Sequence, residues 1–148
     1  RGNGQVYALS YDQKPQQDRE MNRIKSAGGF VNNVGRINGN LNLSRSLGDL
    51  KYKQLTHLPR EDQIITAEPD ITVTQLQPDD HFFILACDGV WDCLTNEQAC
   101  DFVTERLNAG KDAATITNEL LHFCLADDTG KSQGIGCDNM TFLLVLFK

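Results

Sequence analysis

The sequence predicts an α+β fold, and three observations carry that prediction. Two short apolar runs of strand length, FFILAC (82–87) and MTFLLVLF (140–147), each adjoin turn-forming residues. Between them lie two stretches, from Thr95 and from about residue 112, whose apolar residues recur at helical spacing. A third such stretch, 17–27, places Met21, Ile24 and Ala27 on one side and ends in Gly28-Gly29, a helix stop.

Taken in order, the chain begins at Arg1, and Asn3-Gly4 is a hairpin turn signal followed at once by the strand-like QVYALS (5–10). No strand precedes that turn, so the chain is expected to be a piece of something longer, because a one-armed hairpin leaves an unpaired edge. After Lys14-Pro15 comes the helix of 17–27. Residues 30–46 predict small strands and turns, with short β-branched or leucine-containing runs broken at Asn32-Asn33, Gly35 and Asn38-Gly39-Asn40. Lys51 to Asp62 has loop composition and predicts an exposed excursion.

The run ITVTQL (71–76) has the period of a strand, with Ile71, Val73 and Gln75 on one face. Pro78-Asp79-Asp80 turns it into 82–87, predicting a hairpin whose second arm is buried on both faces. Thr95 with Gln98 three residues on is a capping box, heading a helix with Ala99, Phe102, Val103 and Leu107 inward. A second helix near 112–125 turns Ala113, Ile116, Leu120, Phe123 and Cys124 inward. The polar loop 126–138 then delivers Asp138 to the last strand.

Composition narrows the function classes. The 148 residues are one domain's worth, with 40% hydrophobic residues and a net charge of -6. No run of Lys or Arg follows a phosphate backbone, so no nucleic acid partner is expected. The longest apolar stretches are six to eight residues, short of a membrane span, and no segment reads as a signal or transit peptide; a soluble chain with no membrane partner is expected. Five cysteines, none in a CxxC knuckle, suit reduced thiols in a cytoplasmic or nuclear protein, most of them small core residues. A zinc site through Cys87, Cys137 and one of His57, His81 or His122 is a minor alternative.

The chemistry concentrates on Asp88 and Asp138, each where an apolar run meets a loop, each after a cysteine (Cys87, Cys137) and before a turn former (Gly89, Asn139). A carboxylate at the mouth of a buried strand is costly to desolvate unless a cation or donor meets it, so the pair suggests a shared hard-metal site. Asp92 in ACDGVWD would fold back toward the same space. Oxygen ligands without imidazole or thiolate select Mg²⁺ or Mn²⁺. The competing reading makes Asp88-Gly89 a plain turn and Asp92 a helix cap.

Six blocks extend this reading: ALSYDQKP (8–15), RIKSAGG (23–29), GRINGNLNLSRSLGD (35–49), EPDI (68–71), ILACDGVWD (84–92) and GCDNMTFLLVLF (136–147). In this order they resemble the C-terminal part of the catalytic domain of the metal-dependent serine/threonine protein phosphatases of type 2C, closest to gamma-type members. The resemblance spans nearly the whole chain, 1–148. It implies the C-terminal portion of a PP2C-like antiparallel β-sandwich flanked by helices, and hydrolysis of phosphoserine and phosphothreonine in phosphoprotein substrates by a metal-activated water.

By motif, Asp88 and Asp138 match two metal-binding aspartates and Asp92 a third-metal ligand, with Mg²⁺ or Mn²⁺ as the cofactor. No other catalytic residue is carried over. The segment 35–53 matches the substrate flap, with Arg36, Asn38, Gly39, Arg45 and Asp49; Arg45 and Asp49 equally suit an internal ion pair. Gln13 stands where many relatives have histidine, a structural position.

Nothing in the chain matches the family's N-terminal elements, so the isolated chain is expected to be inactive and to pair with the N-terminal part of the same catalytic domain or to self-associate. The alternatives are a catalytically dead phosphatase-like scaffold that binds partners, and a zinc-binding interaction domain.

Overall fold

The computed structural model describes residues 1–147. In chain order these form α1 (Asp18–Ser26), two single-turn 3-10 helices (Leu50–Tyr52, Arg60–Asp62), β1 (Phe82–Ala86), α2 (Asp88–Trp91), α3 (Asn96–Asn108), α4 (Ala113–Cys124) and β2 (Phe142–Leu146). Contacts gather into two compact units: Arg1–Ala8 with the residues from Thr74 onward, and Leu9–Val73.

In the first unit β1 and β2 pair antiparallel, Phe82 opposite Leu146 and Ala86 opposite Phe142. Side chains alternate across a strand, so Phe82, Ile84, Ala86, Phe142 and Leu144 share one face. That face packs on Val90, Leu94, Ala99, Phe102, Val103, Ile116, Leu120 and Cys124. The other face is open, with Leu85 60% and Leu143 50% exposed. Burial of β1 on both faces is therefore not observed, because the helices cover one side only.

Both long helices start where local chemistry dictates. Thr95 Oγ1 accepts from Gln98 N at 3.2 Å while Gln98 Oε1 accepts from Thr95 N at 2.9 Å, the capping box of α3. Asp112 Oδ1 accepts from Thr115 N at 2.8 Å to start α4. The buried stripe of α4 is Ile116, Leu120 and Cys124, at i, i+4, i+8. Phe123 falls beside that stripe and is 64% exposed, its ring 5.4 Å from Phe102 instead of inward.

Two expected strands are absent: residues 5–10 and 71–76 are irregular, with Ile71 and Val73 at 81% and 94% exposure. β-branched composition favours a pleated, half-covered surface, and without a ladder or cover it does not make a strand. The Asn3-Gly4 turn does form, Gly4 adopting φ 77° and donating to Arg1 O at 3.0 Å.

The second unit packs Ile24, Ile37, Tyr52 and Ile65 together. Its small strands reduce to single bridges, Val31 with Ile37, Ile37 with Leu41, and Arg45 with Thr66. The stretch 51–62 is mostly exposed, as expected, but it is anchored: Tyr52 is buried, and the buried Gln63 amide donates to Leu55 O at 2.8 Å and Leu58 O at 3.0 Å while accepting from Leu55 N at 3.1 Å.

One charged side chain sits on the inner face of α1. Glu20 is fully buried, four residues before the equally buried Ile24, and accepts from Arg23 Nη1 and Arg45 Nη2, both at 2.6 Å. Burial pushes this carboxyl up, but hydrogen bonds from Arg45, Ser44 and Arg23 outweigh it and hold it below its ordinary 4.5. Removing one partner of such a pair strands the others, so Glu20→Ala is expected to lower the unfolding free energy by about 3 kcal/mol in urea titrations. A depressed folded-state pKa means stabilisation that is present above the unfolded value and lost as pH falls through the folded one. Acid unfolding below about pH 4.5 should thus be shallower in Glu20→Gln than in the parent.

Candidate active-site region

The ladder of β1 and β2 delivers two loops to the same end. Cys87 N extends the pairing by one bond to Thr141 O, 3.1 Å away. The Cys87 sulfur lies 3.3 Å from Asn139 O and 3.1 Å from Thr141 N, engaged with the facing chain. Here α2 begins with Asp88, and Trp91 Nε1 donates back to Ala86 O at 2.9 Å, folding the short helix against the strand it leaves.

Gly89 is why the two loops approach so closely. A Cβ built on it would lie 2.3 Å from Asn139 O, a backbone atom that cannot rotate away. The residue after Asp88 thus rests on the residue after Asp138. Asp92 N donates to Asp88 O at 2.8 Å, so Asp92 follows Asp88 by one helical turn and closes α2; the cap of the next helix is Thr95. Asp138 Oδ1 accepts from Asn139 N at 2.7 Å.

All three carboxylates are exposed, so the desolvation cost expected of Asp88 and Asp138 does not arise. Among the described residues no three His, Cys, Asp or Glu side chains gather as a metal-holding group, whether aspartates or the Cys87, Cys137 and histidine set. What these residues supply is a set of exposed carboxylates on adjoining loops, the donor type a hard divalent ion takes, in less than a full complement.

The residues expected of a substrate flap lie in the second unit. Asn38 and Gly39 both take positive φ, 49° and 78°, a turn that Asn-Gly suits. Arg36 is exposed, its Nη1 donating to Asn40 O at 2.6 Å. Arg45 and Asp49 do not pair with each other. Arg45 is 3.1 Å from Asp70 as well as bound to Glu20, and Asp49, at φ 50°, accepts from Ser46 Oγ at 2.9 Å. The nearer, buried carboxylate of Glu20 captures the guanidinium.

Sequence reasoning missed Glu20 and Asp70. Asp70 accepts from Gln13 Nε2 at 2.7 Å and Arg19 Nη1 at 2.8 Å, and the hydrogen bond from Arg45, then that from Arg19, holds its carboxyl below the usual range. The available signal was a glutamate on the Ile24 stripe of an amphipathic helix, where only a paired charge is tolerated. Tyr11, Gln13, Arg45, Leu47 and Asp70 line a cavity of about 310 Å³.

The family model described as Protein phosphatase 2C matches residues 1–133. The chain is 50% identical over 144 residues to "Probable protein phosphatase 2C 60" of Arabidopsis thaliana, covering 97% of this chain and 40% of that protein. A crystal structure of a phosphatase from a pathogenic strain of Toxoplasma gondii is similar with TM-score 0.77 and 28% identity, covering 98% of this chain and 43% of that one. The crystal structure of serine-threonine phosphatase 2C from Toxoplasma gondii gives TM-score 0.68 and 25% identity over 97% of this chain and 50% of that one. The chain therefore spans about 40% of the Arabidopsis relative's length.

Gly89→Ala forces the Asn139 backbone off α2. It is expected to cost about 1–3 kcal/mol of stability, as overpacking does, read as a lower midpoint in thermal unfolding.

Proposed function

Because this chain belongs to the protein phosphatase 2C family, we propose that the protein containing it hydrolyses phosphoserine and phosphothreonine in phosphoproteins in a Mg²⁺- or Mn²⁺-dependent reaction. The observation that carries the reading is the contact of Gly89 with Asn139, which draws the Asp88 and Asp138 loops together at the end of one ladder. Asp88 and Asp138 would hold the ions, and Asp92, one helical turn from Asp88, a further one. When bound, the ions would supply Lewis acidity that activates water and neutralises the phosphoryl oxygens.

The chain's own residues do the rest. Exposed Asp88, Asp92 and Asp138 present oxygens at no desolvation cost, and the flap presents Arg36 to a phosphoprotein while Arg45 stays committed to Glu20 and Asp70. Asn38, Gly39 and Asp49 shape that flap through positive-φ turns. The gamma-type assignment rests on the sequence blocks alone. Five free cysteines suit a reducing cytoplasmic or nuclear setting.

The described residues lack a complete metal-ligand group, so the isolated chain is read as inactive, with the N-terminal part of the same catalytic domain supplying the remaining ligands. The open β-sheet face at Leu85 and Leu143 supports pairing with that part, or self-association in its absence. The second reading is a partner-binding scaffold without catalysis, and the retention of Asp88, Asp92 and Asp138 argues against it.

In the intact protein, Asp88→Asn and Asp138→Asn are each expected to lower kcat on a phosphopeptide by more than about 100-fold while leaving the thermal midpoint nearly unchanged, and EDTA to abolish the activity. An intact parent inactive with Mn²⁺ that still binds its partners would establish the scaffold reading. Sedimentation of the isolated chain should show association that Leu85→Asp weakens.

A further inference from the structure

One pair of nucleophilic side chains in the first unit has no part in the proposed reaction, although Cys93 directly follows Asp92. Cys93 follows the end of α2 and is half-buried; Cys124 ends α4 and is 4% exposed. The Cys93 sulfur lies 3.5 Å from Cys124 O and 3.3 Å from Gly89 O, which sets the two cysteines side by side. Both cysteines line an open groove of about 470 Å³, together with Asp128, Lys131 and Ser132.

Cys87 and Cys137 are placed differently. The Cys87 sulfur is taken up by Asn139 and Thr141, and that of Cys137 by Ser132 Oγ at 3.1 Å. Cys124 is also held in position from behind. Gly136, at φ 72°, packs where a Cβ would lie 2.4 Å from Cys124 O, and Ala126 N donates to Gly136 O at 3.1 Å.

We propose that Cys93 and Cys124 form a dithiol modification site that hydrogen peroxide, reaching it through the groove, oxidises to an intramolecular disulfide. Cys93, the more exposed sulfur, attacks one peroxide oxygen: an S–O bond forms, the O–O bond breaks, and the departing hydroxide leaves as water with the proton Cys93 sheds. Cys124 then attacks the sulfenyl sulfur: the S–S bond forms, the S–O bond breaks, and a second water carries away the Cys124 proton. Each sulfur gives up one electron and the peroxide takes both.

Burial, and then the neighbouring Cys93, push the Cys124 thiol up to about 11, so it is the weaker nucleophile of the two and reacts second. The bond ties the turn that ends α2, and with it the Asp88–Asp92 segment, to the end of α4, 31 residues on.

The test treats the intact native protein with graded hydrogen peroxide. Excess oxidant is removed, the protein is unfolded in excess N-ethylmaleimide, and its peptides are mapped by mass with and without dithiothreitol. The expected result is a dithiothreitol-reversible link between the Cys93 and Cys124 peptides at the lowest dose that oxidises any cysteine. In Cys124→Ala the same dose should instead leave Cys93 as a sulfenic acid trapped by dimedone. Full alkylation of Cys93 and Cys124 when other cysteines are already oxidised overturns the proposal, as does a first disulfide through Cys87, Cys100 or Cys137. The unsubstituted protein decides the matter even if the variant does not fold.

Discussion

The antiparallel pairing of β1 with β2 is the constraint on which the site-bearing unit depends. Residues 82–86 and 142–146 are far apart in the chain, yet five facing pairs set their register. A shift of one residue would turn Phe82, Ile84, Ala86, Phe142 and Leu144 away from the helices. A side chain the size of Phe, Ile or Leu contributes about 1.5–3 kcal/mol when fully buried, and Phe142 is buried while Phe82, Ile84 and Leu144 are partly so, which holds the register. Because it is fixed, both chains leave the ladder at one end, and the Asp88 and Asp138 loops come out side by side.

What closes the gap between those loops is the missing side chain of Gly89. With Asn139 O 2.3 Å from where a Cβ would sit, α2 lies directly on the loop that leads into β2. The helix is too short to hold itself and is tethered by Trp91 Nε1 to Ala86 O. The same tether brings Cys93 to the end of α4, so carboxylates and thiol pair share one support.

The second unit rests on a different kind of interaction. Glu20, wholly buried, joins α1 to the chain at Arg45, and Arg45 in turn reaches Asp70, which Arg19 and Gln13 also bind. Buried ion pairs give little net stability, but an arrangement that breaks one leaves a buried charge unmet and is strongly disfavoured. That explains why Arg45, inside a flap-like segment, is turned inward while Arg36 is free to face solvent. It also gives Gln13 a structural task, as the sequence suggested.

The helices were legible because their signals are local: the Thr95–Gln98 box, the Asp112 cap and the stripe of Ile116, Leu120 and Cys124 all lie within a few residues. So were β1 and β2, as short apolar runs, and the order of sequence blocks that points to the family. Residues 5–10 and 71–76 have strand composition but no ladder, and Phe123 has helical spacing but faces outward; both depend on what lies opposite, which the sequence of one segment does not contain. The sequence alone singled out Asp88, Asp92 and Asp138 as candidate ligands. Only the tertiary structure decided that they stand exposed, that Glu20 rather than Asp49 holds Arg45, and that Cys93 meets Cys124, because pairing and burial are settled between residues distant in the chain.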